Sequence, residues 1–188
     1  ADQRNDRPYD HMAIHPYPRD LVREVELSDG TAVSLRPIRP EDAEKEAAFV
    51  AGLSDQTRYL RFMHALHALG PDQLARFTQI DYDREMALVA TVGNGDEERQ
   101  IAVARYSTLP NPQDCEFAVV VADEWQDRGL AQQLMRMLID VARQRGYRRM
   151  VGTVLSTNRR MREFSRSLGF TVEPCPDEPE LVKVVCEL

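Results

Sequence analysis

The period of the apolar positions changes several times along the chain, and each change marks an element. Val22–Leu27 alternates apolar with polar residues, Ser28-Asp29-Gly30 supplies turn chemistry, and Thr31–Ile38 alternates again, which predicts a β-hairpin. Pro40 and the acidic Glu41-Asp42 suit the first turn of a helix, with Ala43, Ala47, Val50 and Ala51 as its apolar positions and Gly52 as its stop. Further helices are predicted over 54–63 and 71–77. Met86–Val92 and Gln100–Tyr106 read as strands joined by Gly93-Asn94-Gly95-Asp96. Cys115–Val121 reads as a third, whose nearly unbroken apolar run suits a strand covered on both faces. The strongest helical signal follows: Leu130, Leu134, Met137, Leu138 and Val141 recur at helical spacing, and Gly146 closes the run. A strand at Met150–Leu155, a helix at Asn158–Leu168 stopped by Gly169, and strands at Thr171–Glu173 and Val182–Cys186 complete the pattern.

The first strands are joined by turns and the last by helices, so an α+β fold with a mixed sheet is expected. The strand–helix–strand unit from Cys115 to Leu155 should be a right-handed parallel crossover. Residues 1–20 carry no apolar period and read as a tail or linker, leaving 21–188 as one domain.

Composition narrows the function classes. A formal charge of −7 argues against a nucleic-acid coat, which rests on dense Lys and Arg. An acidic face suits a cationic partner instead, although acidity also serves plain solubility. No apolar run approaches the ~20 residues that span a bilayer, so no membrane partner is expected. Cys115, Cys175 and Cys186 have neither CxxC nor metal-ligand spacing; reduced thiols in a cytoplasmic protein are the expectation, and no metal. His64 and His67 stand i, i+3 with nothing to complete a ligand set. The chain begins with Ala1, which suggests a piece of a larger parent.

Gln126-Asp127-Arg128-Gly129-Leu130-Ala131 lies between an apolar strand and the strongest helix. The first N–H groups of a helix have no backbone partner and sit at the positive end of its dipole, so a diphosphate is stabilised there. Gly129 lets the backbone come close, Ala131 keeps the helix start clear, and Arg128 offers a charge-assisted bond. A plain strand–helix connection accounts for one glycine equally well, and neither a Walker A nor a Rossmann spacing is met.

Taken with its surroundings, this segment resembles the GNAT superfamily of acyl-CoA-dependent N-acetyltransferases. Gln126-x-x-Gly129-x-Ala131 is similar to that superfamily's (Arg/Gln)-x-x-Gly-x-(Gly/Ala) signature, Val33–Ala43 to its opening strand and first helix, and Asn158, Met161 and Leu168-Gly169-Phe170 to the segment after its fifth strand. The resemblance implies a mostly antiparallel sheet with flanking helices and a splayed central strand pair, Cys115–Val121 and Met150–Leu155. Acetyl-CoA, as co-substrate, would then lie against Val119, Val120 and Val121, the turn from Gln126 to Ala131, and Asn158. Arg159, Arg160 and Arg162 read either as a group reaching the 3′-phosphate, Arg160 foremost, or as a basic exposed helix face. Asn158 is equally a good N-cap for its helix.

Ala13–Pro18, Arg58–Phe62 and Gln79–Ala87 further resemble the bacterial protein lysine acetyltransferases of the Pat type, whose domain is commonly fused to an acyl-CoA-synthetase-like one. That resemblance implies a lysine on another protein as substrate, with AMP-forming acyl-CoA synthetases the usual targets. Asp81, Asp83 and Glu85 form an acidic cluster that reads either as a guide for the lysine or, equally, as a solvated loop before a strand, and Arg61 would belong to the substrate-binding surface.

Attack on a thioester needs a neutral amine, and a lysine of pKa ~10.4 is protonated at neutral pH. Glu116 is the candidate general base by resemblance, and its neighbours Cys115 and Phe117 predict a carboxylate in apolar surroundings with a raised pKa. Read without the resemblance, it is an ordinary solvent-facing residue. Ser165 stands where many small-molecule members of the superfamily carry a tyrosine acid, which leaves the acid unassigned. A small-amine acetyltransferase and a non-catalytic acyl-CoA-sensing module are the alternatives.

Overall fold

A computed structural model describes residues 16–62 and 70–188. Eight strands form one sheet: β1 Arg23–Glu26, β2 Ala32–Pro37, β3 Glu85–Val92, β4 Arg99–Thr108, β5 Asp114–Val121, β6 Arg149–Leu155, β7 Thr171–Pro174 and β8 Leu181–Glu187, in the order β1-β2-β3-β4-β5-β6-β8-β7. Every neighbouring pair is antiparallel except β5 with β6. The helices are α1 Ala43–Ala51, α2 Asp55–Phe62, α3 Pro71–Thr78, α4 Leu130–Gln144 and α5 Arg159–Ser167. The α+β reading holds, with a mixed, mostly antiparallel sheet. Met63, His64 and His67 lie outside the described residues.

Both faces of β5 are covered, which explains its unbroken apolar run. Cys115, Phe117, Val119 and Val121 turn to one side, where α4 buries Leu130, Leu134 and Leu138 against them. Val120 turns to the other, into a cluster of Ile38, Phe49, Val50, Leu53, Val89 and Val103. The apolar stripe of α4 is therefore the expected one.

The buried face of α1 is not. Asp42, Glu46, Phe49 and Val50 are buried, while Ala51 is exposed. The inward charges are paired. Arg36 donates to both carboxylate oxygens of Asp42 at 2.7 Å and to Glu98 at 2.9 Å. Glu46 accepts from Gln100 and, at 3.4 Å, from Arg105. An apolar count misses a face on which two of the inward residues are carboxylates.

The boundary of the expected tail also shifts. Residues 1–15 lie outside the described set, but Tyr17 packs edge-on against Tyr82 and donates its hydroxyl to Pro37 O at 2.7 Å. Leu21, at the end of a short 3-10 turn from Arg19, is buried.

The feature that makes a site is where β5 and β6 part. They pair over Asp114↔Arg149, Cys115↔Met150 and Glu116↔Val151 only. Beyond Glu116, β5 stays with β4 as far as Val121, and β6 stays with β8 as far as Leu155. The two halves of the sheet thus diverge from a short hinge. Phe117 leans over Gly152 at the apex: a Cβ on Gly152 would lie 2.5 Å from the ring. The ring also packs against Phe170, with centroids 5.0 Å apart.

Candidate active site

A cavity of about 540 Å³ opens between the parted strands. Val119, Val120, Val121, Gln126, Asp127, Gly129, Leu130, Ala131, Asn158 and Arg160, all singled out from the sequence, lie on its wall. Register decides what each offers. Ala122 N–H donates to Ile101 O at 2.8 Å, so the antiparallel alternation turns the polar groups of Val120 and Ala118 toward β4. Those of Val119 and Val121 face the gap, and Val121 O already accepts from Gln126 Nε2 at 3.1 Å. Val120 lies on the wall, but its N–H and C=O face β4 and its side chain packs into the opposite core. Val119 alone presents both polar groups to the cavity.

At the wide end of the gap the chain turns sharply into α4. Asp127 has φ of 63° and Gly129 φ of 79°, and no side chain caps the helix. The N–H groups of its first turn are therefore open to an anion. Arg160, from α5, reaches across the mouth and donates to Gln126 Oε1 at 3.2 Å and to the Asp127 carboxylate. It holds the turn itself.

Arg128 does not line the cavity. Its guanidinium stacks on Trp125 at 4.7 Å and donates to Asp29 at 2.9 Å and to Glu124 O at 3.1 Å. The positive φ of Asp127 and Gly129 throws the intervening side chain outward, toward the β1–β2 turn. Asn158 lines the cavity and also caps α5, accepting from Met161 N at 3.2 Å, so both expected roles are geometrically compatible.

Several further residues complete the wall without having been assigned to the site from the sequence. Trp125, Phe117, Gly152, Met161 and Phe164 supply apolar surface, and Gln56 and Thr57 bring in the start of α2. Asp123 ties α2 to the turn by accepting from Ser54 N at 2.7 Å and from the Thr57 hydroxyl. Desolvation alone would raise the Asp123 carboxyl, but those bonds outweigh it and hold it below the ordinary carboxylate value. Gly152 inside a strand was the one readable hint, since such a glycine often marks a close approach.

Glu116 sits at the last β5–β6 pair, where the gap begins. Its side chain is exposed. The expected apolar surroundings are absent because strand residues alternate: Cys115 and Phe117 turn to the α4 face and Glu116 to the other. Neighbours along a strand are not neighbours in space. Opposite Glu116 on β4 stands Ser107, and opposite Ser107 on β3 stands Glu85.

Asp81, Asp83 and Glu85 are not beside the first cavity. They line a second one, of about 720 Å³, that curls around the end of β4 past Ser107, Arg145 and Tyr147. Burial and the nearby Asp81 raise the Glu85 carboxyl above its ordinary value, against the pull of Arg105 and Arg76. Arg61 lies on α2, and its side chain is outside the described set. Cys115 is buried and its thiol is pushed up to about 12, mainly by desolvation, which suits a packing role rather than a nucleophile. Ser165, on the inner face of α5, is buried with its hydroxyl unpartnered among the described residues. Among those residues no cluster of His, Cys, Asp or Glu is built to hold a metal, and no helix is long and apolar enough to cross a membrane.

The cavity fits a long acyl-CoA arm. The free strand edge at Val119 matches an amide-bearing chain laid alongside it. The uncapped α4 terminus suits a diphosphate, and Leu130, Met161 and Phe164 suit an alkyl segment.

Residues 55–170 match the family model described as the acetyltransferase (GNAT) family. Acetyltransferase PA5475 of Pseudomonas aeruginosa is 41% identical over 152 residues, covering 81% of this chain and 82% of that protein. Acetyltransferase Pat of Mycolicibacterium smegmatis is 29% identical over 176 residues, covering 84% of this chain but 52% of that protein. The crystal structure of the GNAT domain of S. lividans PAT superposes with a TM-score of 0.84 at 31% identity, covering 92% of this chain and 100% of that one. The chain belongs to the GNAT acetyltransferase family, whose members are acyl-CoA-dependent N-acetyltransferases.

Proposed function

We propose that this chain is a Pat-type protein lysine N-acetyltransferase. It moves an acetyl group directly from acetyl-CoA to the ε-amine of a lysine on another protein, AMP-forming acyl-CoA synthetases being the expected targets, with Glu116 as general base. The observation that carries the reading is the position of Glu116, exposed at the one point where the cofactor gap of β5 and β6 closes. The likeness to two proteins named Pat supports the substrate class. So does the acidic wall of Asp81, Asp83 and Glu85, which favours a cationic side chain. In this reading the chain works beside a fused acyl-CoA-synthetase-like domain in a larger cytoplasmic protein.

Bound acetyl-CoA supplies a thioester activated toward amines. Glu116 takes the proton from the approaching ammonium, through a water, and so makes the amine a nucleophile. Val119 N–H, free of β4, is the donor for the carbonyl oxygen as it gains charge. The α4 terminus anchors the diphosphate, and Arg160 passes from Asp127 to a phosphate. Ser165 is buried away from the cavity wall, so the leaving thiolate takes, through water, the second proton that the attacking nitrogen sheds as the tetrahedral intermediate collapses.

The test uses labelled acetyl-CoA with a purified AMP-forming acyl-CoA synthetase and, separately, free small amines. The synthetase should be labelled on lysine, and Glu116→Gln should lower turnover on the order of 10²–10⁴-fold while acetyl-CoA affinity holds. Labelling of free amines alone would instead establish a small-molecule enzyme. Acetyl-CoA binding with no transfer to any lysine would establish a sensing module.

A further inference from the structure

The pairing that sets Ser107 opposite Glu116 also sets it opposite Glu85, so three polar side chains form one row across β5, β4 and β3. Directly opposed residues on one face stand about 5 Å apart at Cβ, a gap that a turned hydroxyl or one water closes. Ser107 is exposed, and its hydroxyl both donates and accepts. Glu85 is the half-buried end of the row. Ser107 and Glu85 line the second cavity, and Glu116 stands at the last β5–β6 pair, one residue before Phe117 on the wall of the first. The row thus leads from the edge of the first cavity to the second.

We propose that Ser107 and Glu85 carry the proton taken up by Glu116 out to the second cavity, an inference that rests on Glu116 being the base. An acceptor protein docked over Glu116 shuts bulk water out there, and the row is the route that stays open. The transfers balance. The lysine ammonium gives one proton to Glu116, leaving a neutral amine and a carboxylic acid. Ser107 accepts that proton as its own hydroxyl proton passes to the Glu85 carboxylate. Glu116 is then a carboxylate again, Ser107 is unchanged, and Glu85 releases its proton to water in the second cavity. No redox change and no covalent intermediate are involved. Ser107 and Glu85 are positioning residues in this scheme, since they act through Glu116.

The test measures steady-state transfer to a purified AMP-forming acyl-CoA synthetase at saturating acetyl-CoA. Ser107→Ala and Glu85→Gln should each lower kcat about tenfold with the KM for acetyl-CoA unchanged. The double variant should be no slower than either single one, because both sit on one route. Ser107→Thr, which keeps the hydroxyl, should restore the rate. A normal kcat in Ser107→Ala overturns the relay, and so does a Glu85→Gln effect confined to the KM for the acceptor, which would make Glu85 a lysine-binding residue only. Glu116→Gln separates the two ideas. If it stays active, the base and the relay both fall; if it is inactive while Ser107→Ala and Glu85→Gln are normal, the relay alone falls. Failure of the unaltered protein to acetylate the synthetase overturns the function and the relay together.

Discussion

Gly152 stands at the apex of the gap between β5 and β6, where the chain leaves no room for a side chain. Any side chain there meets the Phe117 ring, at 2.5 Å for the first carbon. Both residues are confined, the ring by Phe170 and the glycine by its place in β6. Gly152→Ala should therefore cost about 1–3 kcal/mol of stability, the usual range for overpacking, and push the ring into the gap. Thermal unfolding measures the first effect. Quenching of Trp125, the chain's one tryptophan and a wall residue, measures loss of acetyl-CoA binding.

Gln126, Gly129, Ala131 and Asn158 were legible in the sequence because each answers a local demand, a helix start or a turn. Phe117 with Gly152, and Glu116 with Ser107, were not, because their partners lie on other strands and only register brings them together. Arg128 failed for a related reason: the backbone direction of its two neighbours, not its charge, decides where it points.

At the level of elements, α1 and α4 make opposite lessons. Helix α4 announces itself because all the work of its inner face is done by apolar side chains. Helix α1 and the turn before it bury Asp42 and Glu46, and their partners Arg36, Gln100 and Arg105 come from strands β2 and β4. Breaking such a pair leaves the other charge buried, so Asp42→Ala should destabilise the protein by about 3–5 kcal/mol, read from denaturant unfolding. Desolvation by itself would raise the Asp42 carboxyl, but the bonds from Arg36 and from Arg39 N–H dominate and hold it below the ordinary carboxylate value. A depressed carboxyl contributes stability that is present above its unfolded value and lost as the pH falls through its folded one. The native protein should thus lose stability as the pH falls below about 4, and the Asp42→Ala variant should lose less over the same window.

Across the whole molecule, the succession of elements followed from the sequence in outline: a hairpin, three further strands joined by turns, then the βαβ unit and two last strands, of which β8 inserts beside β6. What the pattern did not carry is how far each pair of neighbours runs together. Five strands on one side and three on the other meet through three residue pairs. The resemblance to GNAT proteins anticipated the parting; periodicity alone gave two ordinary neighbours.

That parting leaves an edge inside the sheet, and an edge of this kind is visible to solvent exchange. The Val120 amide is held by β4, and the Val119 amide beside it faces the gap. In the free protein, amide hydrogen exchange along β5 should alternate, fast at Val119 and Val121, whose amides face the gap, and slow at Ala118 and Val120. Acetyl-CoA should slow the gap-facing amides, erasing the alternation without touching Ala118 and Val120. The ligand would then be counted, spectroscopically, as the strand missing between β5 and β6.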